Sequence, residues 1–310
     1  MALNRRQFLR TVAGTSAVLT CGAHTLAWQD ANTMPASFDF VFFTDTHIQP
    51  ELDAAHGCDM CFRKIAGLKC DFAIMGGDHV FDAMSVDASR AKLVFDLYQK
   101  TEQTLQMKLY QTIGNHDLFG ISPKSGIAPR DPGYGKKLYE ERTGSKTYYS
   151  FDHKGYHFFV LDSVHPTEDR KWEARVDDPQ LAWLADDLNR TSAGTPIIGV
   201  THVPLVTAFS NYVSPVTADA KYNTLSVANA SQILELLEHH HVLAVLQGHT
   251  HINEIVQYKG TQYITSGAVC GNWWHGPRMG VPEGFMEVSL REGKLETRYE
   301  TYGFSSVAPN

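Results

Sequence analysis

The stretch FDFVFF (residues 38–43) sets one acid among five apolar residues. Runs of the same kind recur as DFAIM (71–75), a shorter stretch within 107–113, YHFFVL (156–161), PIIGV (196–200) and VLAVL (242–246). Near-continuous apolar runs of strand length mark strands covered on both faces. Between several of them the period changes. Residues 86–105 place Leu93, Val94, Leu97 and Tyr98 at i, i+1, i+4 and i+5, one face of a helix. Residues 178–188 and 227–237 read likewise, the latter followed by His239, His240 and His241, which are expected to face solvent at the helix C-terminus. Strands alternating with helices predict an α/β arrangement. After residue 252 the pattern shifts again. NEIVQYKGTQYITSG predicts two strands around Lys259–Gly260, and GFMEVSLREGKLETRYETY a second hairpin around Glu292–Gly293. Hairpins that follow a βαβα chain predict mixed sheets in one domain, residues 38–310.

Most of these apolar runs end in a polar segment of distinctive chemistry. FDFVFF leads into Thr44-Asp45-Thr46-His47, and DFAIM into Gly76-Gly77-Asp78. The 107–113 stretch leads into Gly114-Asn115-His116-Asp117, PIIGV into Thr201-His202, and VLAVL into Gly248-His249-Thr250-His251. Carboxylate, amide and imidazole ligands therefore gather at five strand ends, where α/β sheets place their active sites. One such end alone is a common turn; five in order imply a metal site. The one-residue spacing in Asp45-x-His47 and His249-x-His251 puts two side chains on one side of an extended backbone, so both can meet one ion or two adjacent ions. Mixed nitrogen and oxygen ligation without thiolate suits Fe, Mn, Zn or Co.

These residues resemble the calcineurin-like metallophosphoesterases, whose signature is Asp-x-His, Gly-Asp, Gly-Asn-His-Asp/Glu, a lone His and Gly-His-x-His in that order. The resemblance runs from about Asp45 to His251. It implies a phosphoric ester hydrolase built as two mixed sheets packed face to face and flanked by helices, with two metal ions at the strand ends. Carried over by position, one ion falls to Asp45, His47, Asp78 and His251. The other falls to Asp78, Asn115, His202 and His249, with Asp78 bridging. The family chemistry implied is in-line attack of a metal-bridging hydroxide on phosphorus, with His116 assisting the leaving group and Asp117 orienting His116. In the purple acid phosphatases of this superfamily a tyrosine stands three residues after the bridging aspartate; here Phe81 stands there, which disfavours a tyrosinate-bound ferric site. His79 is read as structural. A metallo-β-lactamase arrangement would need a clustered His-x-His-x-Asp-His stretch, which the sequence lacks.

Substrate is less defined. The set of ligands resembles that of bacterial phosphodiesterases related to the class III cyclic nucleotide esterases, so a diester (cyclic nucleotide-like or lipid head-group-like) is placed ahead of a monoester, and a non-catalytic metal-binding protein last. The loop after the final ligand pair carries Trp273, Trp274 and His275 among glycines and prolines. These are candidate substrate contacts, although one tryptophan anchoring the loop in the core is an equal reading. Residues 204–223 are a candidate lid, and Lys124, Arg130, Lys136 and Lys137 lie on a long loop whose default is solvated surface.

The N-terminus differs from the rest. NRRQFLR, with Arg5, Arg6 and Arg10 and no acid before Asp30, resembles a twin-arginine export signal, followed by a mildly apolar Gly/Thr/Ala stretch. The expectation is a removable signal over residues 1–27, a linker over 28–37, use of the twin-arginine export machinery, and a periplasmic or secreted protein. The apolar stretch is short and interrupted, so no stable membrane anchor is expected. Losing residues 1–27 removes three of the 27 basic residues and none of the 34 acidic ones, leaving a net charge of about −10. That balance argues against a nucleic-acid polymer as partner and for a small phosphoester whose charge is met by metal. Cys58, Cys61, Cys70 and Cys270 remain; zinc wants four closed ligands at paired spacing, and the pattern leaves disulfides and buried free thiols open.

Overall fold

The computed structural model describes residues 35–213 and 221–309. The export segment, most of the 28–37 linker and part of the 204–223 segment lie outside the described residues. In chain order the first elements are β1 (Phe38–Phe43), α1 (Ala54–Ala66), β2 (Ala73–Met75), α2 (Ala88–Glu102), β3 (Leu109–Gln111), α3 (Lys137–Thr143), β4 (Tyr149–His153) and β5 (Tyr156–Leu161). There follow β6 (Val164–Pro166), β7 (Trp172–Ala174), α4 (Asp178–Arg190), β8 (Ile197–Thr201), α5 (Ser210–Val213) and α6 (Ala230–Leu237). The chain closes with β9 (Val242–Gln247), β10 (Glu254–Tyr258), β11 (Thr261–Thr265), β12 (Gly284–Arg291) and β13 (Lys294–Thr301).

Two mixed sheets result. One runs β13-β12-β1-β2-β3 and the other β10-β11-β9-β8-β5-β4, while β6 and β7 form a separate two-stranded ribbon. Within the sheets β1, β2 and β3 are parallel, as are β5, β8, β9 and β11; the two C-terminal hairpins add the antiparallel edges. The mixed sheets are those the apolar runs and terminal hairpins predict, in the two-sheet arrangement that the family resemblance implies.

The apolar runs are continuous because each strand feeds two cores. In β1, Phe38, Phe40 and Phe42 point between the sheets, and Val41 and Phe43 point to the layer of α1 and α2. In β5, Tyr156, Phe158 and Val160 meet that same inter-sheet core, whereas Phe159 and Leu161 pack with α4 and α6. The inter-sheet layer is aromatic. Phe40 lies stacked on Phe72 at 5.0 Å and edge-on to Phe158 at 5.7 Å, geometries that add to simple burial.

Three local differences from the sequence-based expectation have physical causes. Leu93, expected on the buried face of α2, is exposed; the buried stripe runs through Ala91, Val94, Phe95 and Tyr98 instead, about one residue's 100° turn away. The apolar spacing does not announce α1, yet it forms and places Cys58 and Cys61 in the core. Those thiols, with Cys70 and Cys270, are free, and burial pushes all four pKa values up. Among the described residues there is neither a disulfide nor a four-cysteine cluster. Gly57, in mid-helix, is explained by close approach: a Cβ there would lie 2.3 Å from the Trp274 ring. The histidines after α6 lie at the surface, His239 and His241 exposed and His240 half-buried.

Candidate metal centre

The carboxyl ends of β1, β2, β3, β8 and β9 converge, and with them the polar residues that follow. His47 Nε2 lies 3.2 Å from His251 Nε2, 3.4 Å from Asp78 Oδ2 and 3.7 Å from Asp45 Oδ1. Asp45 Oδ1 is 3.2 Å from His251 Nε2. On the other side, His202 Nε2 lies 3.2 Å from both Asp78 Oδ2 and Asn115 Oδ1, and His249 joins Asp78 and His202 within ligand reach. Asp78 Oδ2 thus faces both groups. The structure brings Asp45, His47, Asp78, Asn115, His202, His249 and His251 to one place.

Their backbone conformations show how. Asp45, His47, Asp78, His249 and His251 all have positive φ, between 39° and 71°. Such conformations cost about 1–3 kcal/mol each for non-glycine residues and gather at functional sites. Asp and His are among the residue types that tolerate them best. Turning back at the strand end aims consecutive ligands inward. Gly114 is a different case. Its φ is −108°, open to any residue, but a Cβ would sit 2.2 Å from Asp78 Oδ1. The glycine is there for close approach.

Hydrogen bonds fix which atom each ligand presents. The Nδ1–H groups of His202 and His251 donate to the carbonyls of Gly76 (2.9 Å) and Gly271 (2.7 Å), so that Nε2 of each ring faces the cluster. His249 is reversed: Nε2–H donates to the Thr224 carbonyl at 2.8 Å, which presents Nδ1. Asp45 Oδ2 accepts from the Thr44 hydroxyl and the His249 backbone N–H, while its Oδ1 is buried without any hydrogen-bond partner. An orphaned carboxylate oxygen facing imidazole nitrogens only 3.2 Å apart is costly unless a cation sits among them. The donor set fits metal ions.

The electrostatics agree. Burial works against the charged form of Asp45 and Asp78, yet the surrounding histidines, His251 for Asp45 and His202 for Asp78, hold both carboxyls well below the usual range. Burial lowers His47, and it brings His249 down to about 3. His202 is the exception: burial opposes its charge, but the Asp78 carboxylate outweighs it and raises the ring to about 9.

His116 stands beside the cluster, half-buried, its ring 4.6 Å from that of His47. Its backbone N–H donates to Asp78 Oδ1 at 2.8 Å, and its ring Nδ1–H donates to the Phe81 carbonyl. The expected Asp117–His116 pairing is not formed. Asp117 instead accepts from the backbone N–H groups of Gly114 (2.9 Å), Asp78 (3.1 Å) and His79 (2.9 Å), and from His79 Nδ1 at 2.9 Å. The short turn over 115–117 points the two neighbouring side chains apart. His79 Nε2 continues to Gln111 Oε1 at 2.8 Å. Burial disfavours a charged His79, but Asp117 holds its pKa above the ordinary value. His79 is structural, as its sequence context suggests, and Phe81 orients His116 through its carbonyl.

The tandem tryptophans divide. Trp273 is half-buried with its ring 4.9 Å from His251 and 6.3 Å from His47, and Arg278 stacks on it at 5.0 Å. Trp274 is fully buried in the α1 core, where its Nε1–H donates to the His47 carbonyl at 3.1 Å. His275 donates from Nδ1 to the Ala308 carbonyl. Trp274 is therefore not placed to meet substrate, and His275 is tied to the C-terminal segment. Of the loop cations, Lys136 pairs with Asp162 at 2.6 Å. A residue the sequence does not single out is Trp172, whose ring meets His249 edge-on at 5.8 Å.

Histidines, carboxylates and one amide gathered on parallel strand tips of a two-sheet sandwich define a metallophosphoesterase. The sequence model of the calcineurin-like phosphoesterases matches residues 38–253, and the chain belongs to that family of phosphoric ester hydrolases. Among solved structures it is similar to a dimetal phosphatase from Danio rerio, at 14% identity over 85% of this chain and 99% of that one, with a TM-score of 0.59. It is also similar to GAP50, described as the anchor in the inner membrane complex of Plasmodium (14% identity, 86% and 85% coverage, TM-score 0.54). A third is a 5′-nucleotidase from Candida albicans (14% identity, 86% of this chain, 52% of that one, TM-score 0.51). At such identity the likeness is one of fold. No curated protein sequence matches the chain.

Four outcomes are expected. A metal ion taking His202 Nε2 must displace the proton held there up to a pH of about 9, so affinity of the metal-free protein for Mn²⁺ or Co²⁺ should rise about tenfold per pH unit and level off above that value. The same proton favours the metal-free fold fully below about pH 6.5, a contribution that fades as pH climbs through about 9. Competition titrations across this range check it, and a flat profile refutes it. Asp117→Asn should cost about 3–5 kcal/mol in urea unfolding by stranding His79, and should lower bound metal, whereas His116→Asn should keep its metal. If Asp117→Asn loses only turnover, the pairing with His116 is restored as the explanation.

Proposed function

We propose that the protein hydrolyses phosphodiesters at this centre, with the first ion held by Asp45, His47, Asp78 and His251 and the second by Asp78, Asn115, His202 and His249. When bound, the ions supply positive charge for the phosphoryl oxygens and acidify a water at neutral pH. The chain does the rest. Asp78 keeps Oδ1 on the His116 backbone N–H and presents Oδ2 to both halves. With Nδ1–H committed to the Phe81 carbonyl, His116 has Nε2 as its working nitrogen, and in the imidazolium form that atom carries the proton handed to the leaving alkoxide.

One observation favours the diester. Each half of the ligand cluster is edged by a tryptophan, Trp273 at His251 and Trp172 at His249. Among the described residues no lysine or arginine side chain bonds to any of the proposed ligands. A monoester brings a second negative charge near neutral pH; a diester brings one and a second organic arm. With Mn²⁺ or Fe²⁺ bound, turnover of bis-p-nitrophenyl phosphate should exceed that of p-nitrophenyl phosphate. His116→Asn should lower it about 10²–10⁴-fold without metal loss. A ratio below one overturns the diester preference, and no turnover of either ester by the metal-loaded protein overturns hydrolysis.

Export belongs to the same proposal and is supported by the Arg5–Arg6 pair with the following Gly/Thr/Ala stretch. Replacing both arginines by lysine should keep the protein in the cytoplasm on fractionation of an exporting host; unchanged export contradicts it.

A further inference from the structure

A cavity of about 400 Å³ adjoins the His202–His249 half of the centre and is lined by Met84, Ile121, Trp172, Tyr222 and Thr224 together with two serines, two lysines and Arg170. It is joined to the metal centre by shared residues. Thr224 lines it, and the Thr224 carbonyl takes the Nε2–H of His249 at 2.8 Å. The Trp172 ring lines it and meets His249 edge-on. The opposite wall hangs from the His116 turn, because the Ala83 N–H donates to the His116 carbonyl, the Gly120 N–H to the Ala83 carbonyl, and the Ser122 N–H to the Met84 carbonyl.

The walls are held from outside. Tyr222 donates its hydroxyl to Asp169 at 2.9 Å and carries the Lys221 ammonium over its ring at 4.8 Å, and Lys221 is itself paired with Asp169 at 2.8 Å. Both Lys221 and Tyr222 line the cavity, and their contacts with Asp169 hold the ring in place. Arg170 lines the space, but its Nε and Nη2 groups donate to the carbonyls of Gly120, Ile121, Ser122 and Ile127. It braces the wall and has little left for an anion. The β6–β7 ribbon that carries Trp172 is fastened by the Ala174 N–H to the Asn223 carbonyl at 2.8 Å. A small cavity with two aromatic residues, apolar side chains, a few hydroxyl groups and two lysines in its lining has the composition of a site for a flat, polar-edged ring on an anionic ester.

We propose that this cavity takes a flat aromatic group of nucleobase size carried on one ester oxygen of the substrate, with Trp172 and Tyr222 as its walls and Trp172 setting specificity. The inference rests on the proposed hydrolase function only in that a phosphoester occupies the metal centre; it holds for a diester or a monoester. Trp172 contacts the substrate without touching the reacting atoms.

Binding tests it apart from turnover. Calorimetry would use the metal-loaded full chain carrying His116→Asn, so that ligand is not consumed, with thymidine 5′-monophosphate, methyl phosphate and dodecyl phosphate as probes. Thymidine 5′-monophosphate should bind at least about tenfold more tightly than methyl phosphate, the scale of one base stacked on an aromatic ring. Trp172→Ala should erase that margin while methyl phosphate binding stays within about twofold, and Trp172→Phe should keep most of it, which guards against a folding defect in the alanine variant. Equal affinity for the thymidine and methyl esters overturns the proposal. Dodecyl phosphate binding as tightly as the nucleotide also overturns it, assigning the cavity to an alkyl chain. If the diester assay fails but the nucleotide margin and its loss in Trp172→Ala persist, the cavity assignment stands and only the diester reading falls.

Discussion

Two of the loops at the strand tips are tied together by one buried carboxylate. Asp117 is fully enclosed and gathers the backbone N–H groups of Gly114, Asp78 and His79 together with the His79 ring. A buried charge is tolerable only when its lone pairs are filled, and the groups that fill these are the two loops that carry the proposed bridging aspartate and the Asn115–His116 pair. Gly114 allows the approach by having no side chain. These two loops are therefore set relative to each other before any ion binds.

Much of this was legible in the chain. Runs such as FDFVFF announced strands covered twice over, and the doubly filled faces of β1 and β5 show why such runs lack the alternation of a half-exposed strand. The ligands were legible because each follows its strand directly. Partnerships made across the fold were not. Asp117 sits next to His116 in sequence and turns away from it to a residue nearly forty positions earlier, a choice made by the tight turn at 115–117. The two adjacent tryptophans took opposite fates, one beside His251 and one under α1. The one local clue was a glycine, Gly57, in the middle of a helix that the apolar spacing had not marked. The cavity by His249 draws on four separate stretches of chain, none with a motif of its own.

The source of the ligands has a mechanical meaning. Asp45, His47, Asp78 and Asn115 follow strands of one sheet, and His202, His249 and His251 follow strands of the other. Ions shared among them would act as rivets through two plates that otherwise meet largely through greasy contact between aromatic rings. Such contact is strong yet forgiving of sliding, while coordination is not. The spacing of the two half-sites thus reads out how the plates sit on each other. A change in the aromatic layer far from any ligand could alter catalysis without touching the reacting groups, by letting one plate creep against its neighbour.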